Sequence, residues 1–271
     1  AVSWLQKNAQ LSYAYDINIV LSADAGRTWG SPIVPHDDRS TRQHGFLTLL
    51  PTEQDEMIAV WLDAREYNSR SPGDSFGNAV QLRSTTIGKD GTLGKDIPLD
   101  LRACSCCQTS AAITEDGTVL IAYRDRTADE IRDISIVRRH NEVWSGPVNV
   151  HADGWEISGC PVNGPAIDAQ ATDAVVAWFT GADDIPTVKV AFSEDSGATF
   201  GPAFQVDTGE GVGRVSTLML ATGEALISWV EWAGDGEALM LCRATKNAGC
   251  VARQIITEHT AAGSFNFPKM E

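Results

Sequence analysis

The octapeptide Ser22-Ala-Asp24-Ala-Gly26-Arg-Thr28-Trp29 returns as Ser193-Glu-Asp195-Ser-Gly197-Ala-Thr199-Phe200, so a Ser-x-Asp-x-Gly-x-Thr-aromatic pattern occurs twice in one chain. Asp and Gly suit a tight hairpin turn, Ser and Thr hydroxyls bond the nearby backbone, and the closing aromatic can plug the space between strands. A weaker repeat runs beside it, in which an apolar strand ends in an aromatic. Its copies end at Trp4, Trp61, Tyr123, Trp178 and Trp229, at intervals of 57, 62, 55 and 51 residues. The two octapeptides lie 171 residues apart, three steps of 57, so both repeats report one period. Units of this length built from short runs of Val, Ile, Thr and aromatics predict the four-stranded blades of an all-β propeller. Helical solenoids would need longer amphipathic stretches.

Within a unit, strand A is expected at segments such as Phe46–Leu50 and Ala111–Ile113, and strand B runs up to the aromatic. Strand C is expected at Ile17–Leu21 and Val188–Phe192, with the octapeptide as the turn from C to D. The chain starts at a strand B, and Ser264–Met270 reads as a strand A. Residues 1–271 are expected to form a single propeller domain. Two closures are open: a five-bladed ring, or an excerpt of a longer, six-bladed propeller with about five blades represented.

Composition narrows the partners. A formal charge of -15 repels nucleic acid and anionic membranes, and no run approaches the length of a membrane-spanning helix. An anionic ligand would need a local cluster of arginines.

Propeller connectivity brings the B–C and D–A loops to one end of each blade and the C–D turns to the other. The chemically distinctive residues sort to the first end. Strand B exits carry Asp63, Arg65, Arg124, Asp125, Arg126 and Glu231, while blade-to-blade loops carry His36-Asp-Asp-Arg39, His44, Arg102, Trp155, Asn163 and Arg214. Arg65, Arg124, Arg126 and Arg214, with His44, are therefore candidates to bind substrate, since guanidinium forks match carboxylates. The competing reading is that Asp63 and Asp125 neutralise them in ordinary ion pairs. Asp125 and Glu231 are the candidate general acid and base. The octapeptides and the strand B aromatics are expected to be structural.

Six cysteines add a further constraint. Cys242 and Cys250 flank a hairpin around Lys246–Gly249 and predict a disulfide across it. Cys104, Cys106 and Cys107 precede one blade and Cys160 the next. Disulfides, a thiolate metal site with His151 as a further ligand, and a reactive thiol are the three outcomes for these four. No other cofactor is implied.

The octapeptides are Asp boxes of the BNR-repeat kind, and the chain resembles the bacterial sialidase (neuraminidase) superfamily. Trp4-Leu-Gln-Lys7, Tyr13-Ala-Tyr-Asp16, Cys106-Cys-Gln-Thr109 and Gly159-Cys-Pro-Val-Asn-Gly164 are similar to a group of exported bacterial sialidase-like proteins that extend beyond both ends of this chain. The resemblance implies a six-bladed propeller, export to the periplasm or beyond, and a glycan or small anionic ligand. It also implies a glycoside hydrolase of exo-sialidase type; the alternative is a non-catalytic carbohydrate-binding or protein-docking propeller with a cysteine-stabilised site. Sialidases bind the sialate carboxylate with three arginines and use a Tyr nucleophile paired with Glu and an Asp acid/base. None of Tyr13, Tyr15, Tyr67 and Tyr123 stands in the nucleophile's context.

Overall fold

The computed structural model describes residues 1–10, 13–52, 55–67, 79–261, 263 and 265–270, and these divide into two compact units, Ala1–Ser105 and Cys106–Glu271. In the first unit, β1 (Val2–Lys7) pairs antiparallel with β2 (Tyr15–Val20), and Ile33 bridges Ile19 on the far side of β2. A second sheet takes β3 (His44–Pro51), β4 (Glu56–Asp63), β5 (Val80–Gly88) and β6 (Ile97–Ala103) in chain order. Ile17 and Ile19 pack on Ala59, Trp61 and Ile87, so the facing surfaces of the two sheets share a core.

The second unit repeats the plan three times. Its first sheet has β7 (Ser110–Ile113), β8 (Val119–Arg124) and β9 (Ile134–His140), with β10 (Val143–Trp144) and β11 (Val148–His151) both pairing along β9. Next come β12 (Ala166–Gln170), β13 (Asp173–Thr180), β14 (Thr187–Ser193) and β15 (Phe204–Gln205). The last sheet is β16 (Gly211–Met219), β17 (Ala225–Ala233), β18 (Gly236–Thr245) and β19 (Gly249–His259). Every ladder pairs neighbours antiparallel, which short turns allow and which satisfies the backbone donors strand by strand. Central strands are buried on both faces: β8 has no residue open to solvent, and Leu120, Ile136 and Val176 join one core between successive sheets.

The second strand of each full sheet carries the aromatic that set the period. Trp61, Trp178 and Trp229 are completely buried and Tyr123 is nearly so. Removing ~200 Å² of each indole from water stabilises the fold by about 5 kcal/mol per residue. Trp4 departs from its siblings, at 39% exposed, because β1 is paired only with β2 among the described residues and its outer side is uncovered. Residues 265–270 form no strand; Ser264 lies outside the described residues.

The first octapeptide forms the turn that follows β2, and the second forms the turn at the end of β14, the third strand of its sheet. Ser22 Oγ accepts from the Gly26 amide at 2.8 Å, while Asp24 accepts from the Thr28 amide at 2.8 Å and the Thr28 hydroxyl at 2.7 Å. Ser193, Asp195, Gly197 and Thr199 reproduce the same bonds within 0.1 Å. Gly26 and Gly197 sit at φ 85 and 72, the left-handed region where a side chain is strained. Phe200 packs on the neighbouring core, whereas Trp29 stays 46% exposed.

Candidate functional site

In the unit Ala1–Ser105, the loop between β2 and β3 meets the end of β4. Asp63 is the last residue of β4, and Arg65 folds back onto it with Nε and Nη2 at 3.0 and 2.8 Å from its two oxygens. The same guanidinium reaches Asp96 at 2.6 Å and Asp37 at 3.3 Å, and Asp63 also accepts from the Trp61 indole at 2.8 Å. Burial opposes the Arg65 charge, but Asp63 and Asp96 outweigh it and hold its pKa above the ordinary value. Asp63 is itself held low: burial raises it, and Arg65, His44 and Trp61 together lower it further.

Against this ion pair lie two stacked imidazoles, His36 and His44, with centroids 3.7 Å apart and planes parallel within 1°. His44 Nδ1 is 2.9 Å from the Tyr15 carbonyl, and its Nε2 is 3.0 Å from Asp38 and 3.6 Å from Asp63. Both nitrogens of His44 therefore face oxygen atoms. His36 differs. Its Nε2 accepts from the Ile17 amide at 3.3 Å and its Nδ1 donates to Asp38 at 3.2 Å, the pattern of a neutral ring. Burial, then the charge on His44, pushes the His36 pKa below its usual 6.5 against the pull of Asp38, Asp16 and Asp63. Asp38 falls to about 2: burial raises it, but the Ser40 hydrogen bonds, His44 and Arg65 prevail.

These histidines and carboxylates bring ligand-type atoms within 4.8 Å of one another in two sets, Asp16-His36-His44 and Asp38-His44-Asp63. His44 turns both ring nitrogens toward oxygens of its neighbours, and in the second set the Arg65 guanidinium already lies 3.7 Å from Asp38.

A cleft of about 510 Å³ opens beside the stack, lined by Asn8, Asp16, His36, Asp37, Arg39 and Ser40 among others. Asn8 donates to Asp16 at 2.6 Å and to the Ser40 carbonyl at 3.2 Å. Asn8 Oδ1 and Ser40 Oγ are shielded from solvent yet have no hydrogen-bond partner. Sequence reasoning brought His36, Asp38, His44, Asp63 and Arg65 to one end of the blade and missed this cleft, because Asn8 and Ser40 carry no signal of their own.

The remaining sequence-derived candidates lie in the unit Cys106–Glu271, where each is held by close partners. Arg124 is 2% exposed and donates to three carbonyls, Asn163 at 2.8 Å, Arg132 at 2.6 Å and Phe179 at 2.6 Å, while its guanidinium carbon lies 4.9 Å from the Trp155 ring centroid. It is a bracket between successive sheets. Arg126 pairs with Glu130 at 2.6 Å. Arg214, at φ 56, donates to Glu237 at 3.3 Å and to the Phe265 carbonyl. Asp125 accepts from the Ser135 hydroxyl at 3.1 Å and the Arg126 amide at 2.6 Å; Glu231 accepts from the Trp229 indole at 2.8 Å.

The cysteines resolve in favour of bridges. Cys106 is joined to Cys160 and Cys242 to Cys250. In the set Cys104, Cys106, Cys107 and Cys160, two of the four sulfurs are thus joined to each other, while Cys104 and Cys107 are buried thiols outside any disulfide. His151 stands edge-on to Trp178. The two cysteine-bearing motifs clasp a second time, where the Gly164 amide donates to the Gln108 side chain at 3.0 Å. A Cβ at Gly164 would fall 1.9 Å from the Gln108 carbonyl oxygen, which explains the glycine. Asn163 then accepts from the Arg214 amide at 2.9 Å and donates to the Val212 carbonyl at 3.1 Å, carrying the clasp to the next sheet.

No family model and no curated protein matches this chain. Solved structures do. The chain is similar to the Hadza microbial sialidase Hz136 at 14% identity and TM-score 0.52, over 93% of this chain and 54% of that one. It is similar to the K499G mutant of NanB sialidase from Streptococcus pneumoniae at 9% and 0.56, over 96% and 60%. It is also similar to the BP39L lectin from Burkholderia pseudomallei at 12% and 0.59, over 90% and 64%. The four-stranded antiparallel sheets are those of a sialidase-like β-propeller. The chain spans 54% to 60% of the length of the two sialidases.

Proposed function

We propose that this chain is the propeller region of an exported saccharide-binding protein that holds its ligand without cleaving it. The observation that carries the reading is a contrast in occupancy. Arg65, Arg124, Arg126 and Arg214 are each committed to carboxylates or carbonyls, so these four do not stand ready to clamp a sialate carboxylate. The cleft beside His36, by comparison, is walled by the polar side chains Asn8, Asp16, Asp37 and Ser40, of the kind that hydrogen-bond sugar hydroxyls. Asp16 and Asp37 in its wall outnumber Arg39 and favour a neutral sugar over an anionic one. The likeness to sialidases and to a lectin supports a carbohydrate ligand, and two disulfides suit an oxidising compartment. The glycosidase alternative rests on Asp125 and Glu231, whose carboxylates are engaged with Ser135 and Trp229.

Calorimetric titration with a panel of neutral and sialylated oligosaccharides tests this. Binding by a neutral member that weakens about tenfold in Asp16→Ala is expected, since one lost hydrogen bond to a charged group is worth that much. Failure of every saccharide to bind would overturn the reading.

A further inference from the structure

His36 stands in the wall of the cleft and faces two partners on β2. Its Nε2 lies 3.3 Å from the Ile17 amide, which donates to it, and 3.7 Å from Asp16 Oδ1, the same oxygen that accepts from Asn8 at 2.6 Å. Only the Ile17 contact is a hydrogen bond, and it holds the ring in the form whose Nε2 carries no proton. A proton on that nitrogen sets two donors face to face. The nearest oxygen to receive it is Asp16 Oδ1, and a charge-assisted bond of about 2.8 Å would draw ring and carboxylate together.

The groups packed around His36 leave it these two positions. Asp38 Oδ1, in the same loop, contacts His36 Nδ1 at 3.2 Å and His44 Nε2 at 3.0 Å, and so pins the opposite edge of the stacked pair. His44 comes from β3, and behind it Asp63 at the end of β4 lies 3.6 Å from its Nε2. Arg65 lies 3.7 Å from Asp38 and holds Asp37 at 3.3 Å, while Arg39 lines the cleft with Asp37. Asp16, Asp38 and Asp63 favour a proton on His36; burial and the charge on His44 oppose it and keep the ring neutral at pH 7.

We propose that His36 is a proton-operated release for the saccharide cleft: the neutral ring leaves Asp16 to the ligand, and the protonated ring takes Asp16 for itself. The identity of the ligand rests on the saccharide reading, whereas the two positions of the ring rest on the geometry of His36 alone. Proton and ligand compete for one carboxylate, so each weakens the binding of the other by the same factor. The protein therefore holds its ligand at neutral pH and gives it up in acid, as pH falls through the value at which His36 becomes charged.

Two titrations test this and separate it from the saccharide reading. In the ligand-free chain, NMR from pH 8 to 5 follows the His36 Cε1–Hε1 signal, the Ile17 amide and the Asp16 carboxyl carbon. All three are expected to move with one midpoint below 6.5. An Ile17 amide or an Asp16 carboxyl that stays fixed while His36 titrates overturns the proposal, whatever the ligand. With the neutral oligosaccharide that binds at pH 7.5, calorimetry is expected to show affinity falling at least about threefold by pH 5, and His36→Gln is expected to flatten that dependence. Affinity independent of pH in the wild type, or an equal dependence in His36→Gln, also overturns it. Absence of saccharide binding at pH 7.5 sinks the saccharide reading instead, and the ligand-free titration then decides the switch. The same titration carries the decision if His36→Gln fails to fold.

Discussion

The octapeptide turns at one end of the sheets and the loops at the other solve the same problem in opposite ways. In the turns, Asp24 and Asp195 bond only to residues within four positions along the chain, and two copies agree bond for bond. At the loop end, Arg124 at the close of β8 reaches Asn163 and Phe179, Cys106 reaches Cys160, and Asn163 reaches Val212. A turn that closes on itself can be copied. A loop that closes on its neighbour differs from blade to blade, so variation, and with it function, collects there.

If that contrast is right, loop substitutions should cost far more stability than turn substitutions. The largest effect belongs to Arg124→Ala, which strands three buried carbonyls and is expected to lower the unfolding free energy by about 5 kcal/mol in urea titration. Cys106→Ser follows. Its bridge closes a separation of 54 residues, against 8 for Cys242–Cys250, so the loop-entropy relation gives about 4 kcal/mol for the first and about 2.5 for the second. Asp195→Ala should cost about 1 kcal/mol, because its bonds are local and open to water. Should Asp195→Ala prove as damaging as Arg124→Ala, the contrast fails.

The smallest effect is in pH dependence. His36 has a folded pKa below its unfolded value, so the unfolded chain binds the extra proton first; stability is therefore full above about pH 6.5 and declines as pH falls below it. Asp38 acts in a lower window, where its stabilisation, present above about pH 4, is lost toward pH 2. A Tm profile from pH 8 to 5 should therefore slope downward, and His36→Gln should flatten that slope.

The same division explains what could be read in the sequence. The period and the turns were legible because their signals are local: a Ser, an Asp, a Gly and a Thr at fixed offsets, and an aromatic on a buried strand. Sequence connectivity also gathered His36, Asp38, His44, Asp63 and Arg65 correctly. What the arginines do was not legible, because a guanidinium committed to the Phe179 carbonyl 55 positions away looks the same in sequence as one waiting for a ligand. The cleft was hidden for a related reason. Asn8 and Ser40 matter only through standing in one wall with Asp16 and Asp37, a property of packing.

The central claim, that the loop-end arginines are structural brackets in a protein that binds sugar and leaves it intact, is tested most directly by incubating the chain with sialyllactose and neutral oligosaccharides under saturation-transfer NMR. The account predicts saturation transfer to at least one saccharide and unchanged ligand spectra over hours. Steady release of free sialic acid, abolished by Arg126→Ala, would contradict it.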